Sequence, residues 1–280
     1  MEQITLYPTA KINIGLYVFQ KRADGFHELE SIFFPVGPEN SSLTPDKLTV
    51  SLGNVGNSGV EMLESGLEYP GNPEDNICVK AYKLLDAVYA LPPMTISLEK
   101  HLPVGAGLGG GSSDGVCTIK AIDTLCNLNI SKEKMLEFAA QLGSDCPFFV
   151  ENKPMLVTGR GEVLTPLDER FGEDVVKAVD NLVKNYRVEI VFSSDCFVST
   201  GHAYSIVPKR DKRLPYTPVT ELVTRPVSEW DGVMVNDFEA PVFKEFPQLQ
   251  KVKDSLKEVG ASYVSMTGSG SAIYALFPRL

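Results

Sequence analysis

The stretch Leu102-Pro-Val-Gly-Ala-Gly-Leu-Gly-Gly-Gly-Ser-Ser-Asp114 sets five glycines within seven residues, Gly105 to Gly111. The alternating run Met94 to Glu99 reads as a strand leading into it. Val116, Ile119, Ile122 and Leu125 then fall on one stripe of a helix leading out. Glycine tolerates positive φ and close backbone approach, so successive amides can converge on one anion. A helix starting near Ser112 adds the positive end of its dipole. The stretch therefore reads as a phosphate cradle, with a plain tight turn as the alternative. Three common nucleotide loops do not fit it. Gly105, Gly107 and Gly110 match Gly-x-Gly-x-x-Gly, but a dinucleotide fold needs a second parallel strand ending in an acidic residue about 20 positions on. Helix, turn and helix stand there instead. A P-loop needs Lys after its last glycine, where Ser112 stands. A protein kinase needs Asp-Phe-Gly and His-Arg-Asp, both absent from the chain.

Upstream, Ile12, Ile14, Leu16 and Val18 alternate with Lys11, Asn13, Gly15 and Tyr17. This is a strand, and it puts Lys11 and Asn13 on one face about 7 Å apart. Arg22-Ala-Asp-Gly25 has turn chemistry, and Phe26 to Val36 returns as the second strand of a β-hairpin. Residues 37 to 75 are rich in Gly, Pro, Ser and Asn, with one short strand at Leu48 to Leu52. They read as a surface excursion, with a lid as the alternative. Asp75 or Asn76 caps a helix that buries Val79, Tyr82, Leu85 and Val88. A further helix runs from Ser131 with Met135, Phe138, Ala139 and Leu142 on its apolar face and Gly143 as its stop. Thr158-Gly-Arg-Gly161 reads as a hairpin tip and Val188 to Phe192 as a strand. Residues 217 to 258 carry helical segments, and the tail reads strand, Gly268-Ser-Gly270, strand.

The 280 residues are 43% hydrophobic and 22% charged, a balance that folds, and the length suggests about two domains. A net charge of −10 excludes a broad nucleic-acid or anionic-membrane surface. One anionic small ligand, held by a few cations and amides, is compatible with it. No run approaches the roughly 18 apolar residues of a membrane span. Met1-Glu2-Gln3-Ile4 lacks a secretory layout, so the expected location is cytoplasmic. Cys78, Cys117, Cys126, Cys146 and Cys196 contain no Cys-x-x-Cys pair and read as reduced core thiols. His101 and His202 have no matching ligand partners, and His27-Glu28-Leu-Glu30 is not a zinc-protease pattern. Lys209, Arg210, Lys212 and Arg213 form a basic cluster that reads as a solvated loop rather than a ligand contact.

Pro103 to Ser113 resembles the central motif of the GHMP small-molecule kinases. Two further motifs of that family occur in order, Ala10-Lys-Ile-Asn13 and Met266-Thr-Gly-Ser-Gly-Ser-Ala272. Arg22-Ala-Asp-Gly-Phe-His27, Leu142-Gly-Ser-Asp-Cys-Pro-Phe148, Gly159-Arg-Gly-Glu162, Val198-Ser-Thr200 and Asn236-Asp-Phe-Glu239 resemble one branch of it. That branch acts on a cytidylated polyol in non-mevalonate isoprenoid biosynthesis. There are two departures. Pro8 lies one residue further from Lys11 than the commoner Pro-Ala-Lys arrangement. Gly115 replaces an alanine, at about 1 kcal/mol of helix propensity. The resemblance implies an α+β chain with an N-terminal ATP-binding domain, residues 1 to 155, and a C-terminal GHMP kinase domain, residues 156 to 280. It places the active site in the cleft between them. The implied reaction is ATP-dependent phosphorylation of the 2-hydroxyl of 4-diphosphocytidyl-2-C-methyl-D-erythritol, with Mg2+ accompanying ATP. Another small alcohol (mevalonate, homoserine or a sugar) and a nucleotide-binding regulator without turnover remain as alternatives.

Phosphoryl transfer needs charge neutralisation, in-line positioning and an acceptor for the hydroxyl proton. The family pairs a lysine of its first motif with an aspartate of its Gly-Ser-Asp motif, here Lys11 and Asp145. Lys11 would stabilise charge on the attacking oxygen, and Asp145 would take the proton. Without the family, Lys11 reads equally as a solvated strand lysine and Asp145 as the cap of a short helix. Pro103, Val104, Gly105, Ala106, Gly107, Leu108, Gly109, Gly110, Gly111, Ser112 and Ser113 are expected to hold ATP. The resemblance implies that Phe26 and His27 hold the cytosine, with Tyr204 stacking on it. From the residues alone, Phe26 can be core and His27 a satisfied turn histidine. Asn13, on the Lys11 face, can hydrogen-bond the substrate, and Lys100 can meet a phosphate. No magnesium ligand is assigned beyond the place of Ser113 in the loop.

Overall fold

The computed structural model describes residues 2–53, 59–68, 71–192 and 196–279. Residues 54–58 and 69–70 of the expected excursion lie outside the described residues. In chain order the strands are β1 (Gln3–Leu6), β2 (Ala10–Lys21), β3 (His27–Val36), β4 (Lys47–Leu52), β5 (Val60–Gly66) and β6 (Met94–Lys100). They continue as β7 (Met155–Gly159), β8 (Val163–Pro166), β9 (Tyr186–Val191), β10 (Tyr263–Met266) and β11 (Ile273–Pro278). The helices are α1 (Ile77–Tyr89), α2 (Gly110–Cys126), α3 (Lys132–Leu142), α4 (Cys146–Glu151) and α5 (Glu173–Asn185). Four more follow, α6 (Thr200–Ile206), α7 (Val219–Leu222), α8 (Glu239–Glu245) and α9 (Pro247–Glu258). No helix among the described residues is long and apolar enough to cross a membrane.

Two compact units share this α+β chain. The first takes Met1–Ala10, Thr44–Val104 and Gly109–Asn152, and the second Lys11–Leu43, Gly105–Leu108 and Lys153–Leu280. The chain changes unit for the last time after Asn152. The β2–β3 hairpin and the first half of the glycine loop nevertheless group with the C-terminal half.

In the first unit the sheet order is β1-β4-β6-β5. Strands β1, β4 and β6 pair antiparallel, and β5 joins β6 in parallel. Only one face of this sheet is apolar. Leu48 and Val50 of β4 and Met94, Ile96 and Leu98 of β6 are buried, and they alternate with residues that are not. Their partners are Ala81, Tyr82 and Leu85 of α1, Ile119 and Ile122 of α2, and Phe138 of α3. Each such fully buried aliphatic side chain contributes about 1.5–3 kcal/mol. The Asn76 side chain caps α1 by accepting from Cys78 N at 2.8 Å. Val88 is a correction: it is 57% exposed, and Tyr89 packs on the core in its place. The contact recurs four residues after Leu85 rather than three, as a period of 3.6 allows.

The second unit has two sheets, β2-β3-β7-β8 and the antiparallel β10-β11-β9. Its core joins Leu16 and Val18 of β2 to Phe238, Val242, Val264, Met266, Ile273 and Ala275. The edge of β2 away from β3 is closed by short returning segments. Leu16 N donates to Val235 O at 2.9 Å, Asp237 N to Leu16 O at 2.9 Å, and Arg210 N to Val18 O at 2.8 Å. The basic cluster is largely absorbed in this closure. Arg210 grips Asp237 with two nitrogens, at 2.6 and 2.7 Å, and lies 3.8 Å over the Tyr17 ring. Lys209 donates to the carbonyls of Tyr204 and Val207, and Arg213 chelates Asp211.

Candidate active site

Strand β2 brings Lys11 and Asn13 to one face, and the structure buries both, at 3% and 2% exposure. Lys11 is therefore no solvated strand lysine. Its Nζ donates to Asn13 Oδ1 at 2.8 Å and lies 4.4 Å from the centre of the Phe33 ring. Asn13 Oδ1 also accepts from Thr267 Oγ1 at 3.2 Å and from Gly268 N at 3.0 Å. The amide nitrogen donates to Ser31 Oγ at 2.9 Å. An oxygen with three donors and a nitrogen with an internal acceptor make Asn13 a hub: it aims Lys11 and clamps the Gly268 turn. Asn236 completes the clamp, donating to Met266 O at 2.7 Å and Gly268 O at 2.9 Å.

The glycine loop is tied to the same hub. Lys11 N donates to Leu108 O at 2.8 Å, Ala272 N to Ala106 O at 3.2 Å and Thr267 Oγ1 to Gly107 O at 3.3 Å. The Ala106 and Leu108 carbonyls are committed to backbone donors and Gly107 O shares the single Thr267 hydroxyl hydrogen with Asn13, so the loop turns its carbonyls to protein and can offer amides to an anion. Gly105, Gly107 and Gly109 have φ of 75°, 83° and 70°, values that L side chains resist. Helix α2 starts at Gly110, two residues earlier than expected, with Gly109 as its N-cap. A Cβ on Gly111 would meet no atom within 4 Å, so there is open space beside this first turn. Loop amides without a hydrogen bond among the described residues, a dipole end and that space suit the phosphates of a nucleotide.

The first unit holds Lys100, Asp145 and Ser113. Lys100 does not face open space. It is 2% exposed, and its Nζ is paired with Asp46 and, at 2.7 Å, with Asp114. Both carboxylates satisfy it internally, which leaves the phosphate role read for it without geometric support. Asp46 also accepts His101 N at 2.6 Å and Leu102 N at 2.8 Å, which fixes the entry to the glycine loop. One cation thus serves two buried acids, and Asp114 Oδ1 is buried without a hydrogen-bond partner. Burial pushes the Asp114 carboxyl up to about 8, against the pull of Lys100. A carboxyl raised above its ordinary 3.8 contributes stability that is complete below that value and drains away as pH rises toward 8. Asp114→Asn removes the titration, so the variant's melting temperature should fall less between pH 5 and 8 than the parent's. Equal slopes would show that Asp114 is already ionised in the fold.

Asp145 stands at the N-cap of α4 in a helical conformation (φ −86°, ψ −13°), and its side chain makes no capping bond. The helix-cap reading of this residue is therefore set aside. Burial raises the thiol of its neighbour Cys146 to about 11, and the nearby Ser112 hydroxyl pulls against that rise. Within this unit Asp145 thus adjoins the first turn of α2. Ser113, by contrast, is buried at 1% exposure. Among the described residues no group of three His, Cys, Asp or Glu side chains is placed to hold a metal ion.

Back in the second unit, Phe26 is 53% exposed after an Asx turn in which its N–H donates to Asp24 Oδ1 at 3.1 Å. It is not core. His27 Nδ1 lies 2.8 Å from Phe19 O; a carbonyl only accepts, so Nδ1 carries the hydrogen of this bond. The His27 ring stacks on Tyr204 at 5.8 Å and 17°, and Tyr204 rests edge-on against buried Phe238.

Sequence reading missed Thr267, Asn236 and Asp46 as organising residues. Asn236 lies in a stretch quoted for its resemblance, but its partners are 30 and 32 residues away. Asp46 had no local signal at all.

Comparison with known proteins adds an independent line. Residues 76–153 match the family profile "GHMP kinases N terminal domain", and residues 227–280 match "GHMP kinases C terminal". A Bacteroides fragilis (strain YCH46) protein named 4-diphosphocytidyl-2-C-methyl-D-erythritol kinase is 41% identical over 271 residues, 97% of this chain and 91% of the relative. A protein of that name from Cytophaga hutchinsonii is 35% identical, with 97% and 91% covered. A crystal structure of 4-(cytidine 5'-diphospho)-2C-methyl-D-erythritol kinase aligns with a TM-score of 0.72 at 28% identity, over 98% of this chain and 90% of that one. Methanococcus jannaschii mevalonate kinase shares the fold at 13% identity, with a TM-score of 0.65. With relatives this similar over almost its whole length, the chain belongs to the GHMP kinase family.

Proposed function

We propose that the chain transfers the terminal phosphoryl group of ATP to the 2-hydroxyl of 4-diphosphocytidyl-2-C-methyl-D-erythritol. The observation that carries this reading is the buried Lys11, aimed by Asn13 and hydrogen-bonded through its own amide to the glycine loop. ATP, with Mg2+ on its phosphates, supplies the group to be transferred. Pro103 to Ser113 frame the phosphates, which the amides between these two residues and the α2 dipole hold where charge develops during transfer. Asp145 accepts the hydroxyl proton, and Lys11 stabilises the oxygen that attacks. The role of Asn13 is to position Lys11 rather than to bind substrate. Phe26, His27 and Tyr204 take the cytosine, and Lys100 holds the loop's frame. A cytoplasmic setting fits the five free thiols.

The test is phosphate transfer, followed by mass spectrometry, with MgATP and a panel of alcohols: the cytidylated methylerythritol, mevalonate and homoserine. The cytidylated alcohol alone should gain phosphate. His27→Ala should raise its KM about tenfold, the worth of a lost ligand hydrogen bond, and leave the KM for ATP unchanged. A folded parent that leaves this alcohol untouched would refute the assignment.

A further inference from the structure

We propose that Arg160 is a positioning residue for nucleobase binding, its guanidinium forming the backing of the Phe26 ring on which the base lies. The inference rests on the reading above, that the Phe26–His27 turn receives a cytosine.

Arg160 Cζ lies 4.7 Å from the centre of the Phe26 ring, well within the range of a cation–π contact. The contact is built rather than incidental. Arg160 stands between Gly159 and Gly161, whose φ of 70° and 110° let the tip of the β7–β8 hairpin turn that tightly. Its N–H donates to Glu162, and its Nε lies 3.5 Å from the same carboxylate. Arg22, from the facing hairpin, reaches Glu162 at 4.0 Å and Glu28 at 3.4 Å. The guanidinium is thus anchored through Nε by an acid while its central carbon lies over the ring.

The neighbouring ring is differently placed. His27 is bonded through Nδ1 to Phe19 O and stacked on Tyr204, whereas Phe26 keeps more than half its surface exposed. An aromatic ring covered on one face and open on the other suits a planar heterocycle by offset stacking. The backing cation holds the ring in place before the base arrives, and such preorganisation appears as affinity. Charge count argues against a free phosphate-binding cation. Arg22, Arg160 and Lys212 each lie within ion-pair distance of Glu28 or Glu162. The ligand feature read here is therefore the base, not the diphosphate.

Calorimetry with CDP and ligand-observed NMR with cytidine test this without turnover. Arg160→Ala should weaken both ligands by the same factor, about five- to tenfold. The KM for the cytidylated alcohol should rise in parallel, with kcat and the KM for ATP within about twofold of the parent. In a Phe26→Ala background the same change should add no loss, because the ring it acts through is gone. Arg160→Gln, which keeps a planar polar end without charge, should fall between parent and Ala. Unchanged cytidine binding overturns the proposal, as does weakening of CDP alone or a full additive loss beside Phe26→Ala. A parent that binds cytidine through Arg160 yet phosphorylates nothing would defeat the reaction proposed above and leave this inference standing. A phosphorylating parent indifferent to Arg160→Ala would do the opposite.

Discussion

Asp145→Asn is expected to lower kcat by about 10²–10⁴-fold, the usual worth of a positioned general base. Asparagine keeps the size and one acceptor oxygen but cannot take a proton. It also keeps part of the local bonding. The side chain of Asp145 makes no capping bond to α4, and the acceptor role toward Ser144 Oγ, at 3.3 Å, is open to an amide oxygen as well. ATP affinity should stay close to the parent's while turnover collapses, with the melting temperature measured alongside. Loss of turnover with loss of fold would make Asp145 structural. Turnover within tenfold of the parent would remove it from proton transfer altogether.

Gly107→Ala is expected to damage stability and catalysis together. At φ 83° any L side chain is strained, at a cost of about 1–3 kcal/mol. The added Cβ would also overlap the Thr267 carbonyl oxygen and lie 3.4 Å from Gly268 Cα. Both obstacles are backbone, so the Gly268 turn itself must shift. That turn is what Asn13 clamps, and Asn13 is what aims Lys11. We expect kcat/KM for ATP to fall at least about a hundredfold, which corresponds to roughly 2.7 kcal/mol of transition-state binding. Gly111→Ala is the control: its Cβ meets open space within a helix, so the fold should hold. If both variants melt like the parent and bind ATP alike, the coupling between loop and turn is absent.

Much of this was legible because it is local. Val116, Ile119, Ile122 and Leu125 line one face of α2 and are all buried, as their spacing implies. Hairpin β2–β3 follows from alternation and from Asp24-Gly25, and the glycine loop sits between strand and helix where it was read. Elements with weaker signals escaped. Strand β5 carries only partly buried and exposed residues, so little alternation marks it. Helix α5 shows its core face only through Val175, Val179 and Leu182, a stripe that was passed over. The polar architecture was legible only in part. Lys100 looked like a phosphate ligand because its neighbours in sequence are the loop, but Asp46 is 54 positions away. Lys11 and Asn13 were placed on one face correctly, but the donors on Asn13 Oδ1 from Thr267 and Gly268 lie 254 and 255 positions on. Local periodicity carries no information at that range.

Strand β3 pairs with β7, with Phe33 opposite Met155, so most of the first unit is an insertion within one sheet of the second. For a chain emerging from a ribosome, β2 and β3 come first and their partner β7 arrives only after the insertion has been made. Until then β3 presents an open edge, the kind that pairs with other chains. Loop closure is thermodynamically mild, about 0.6 kcal/mol for each doubling of length, but such distant pairing is slow to find. Prompt folding of the inserted unit removes free chain from that search. Lesions in its core would then surface as poor yield and aggregation of nascent protein, even where the mature enzyme, once formed, works normally.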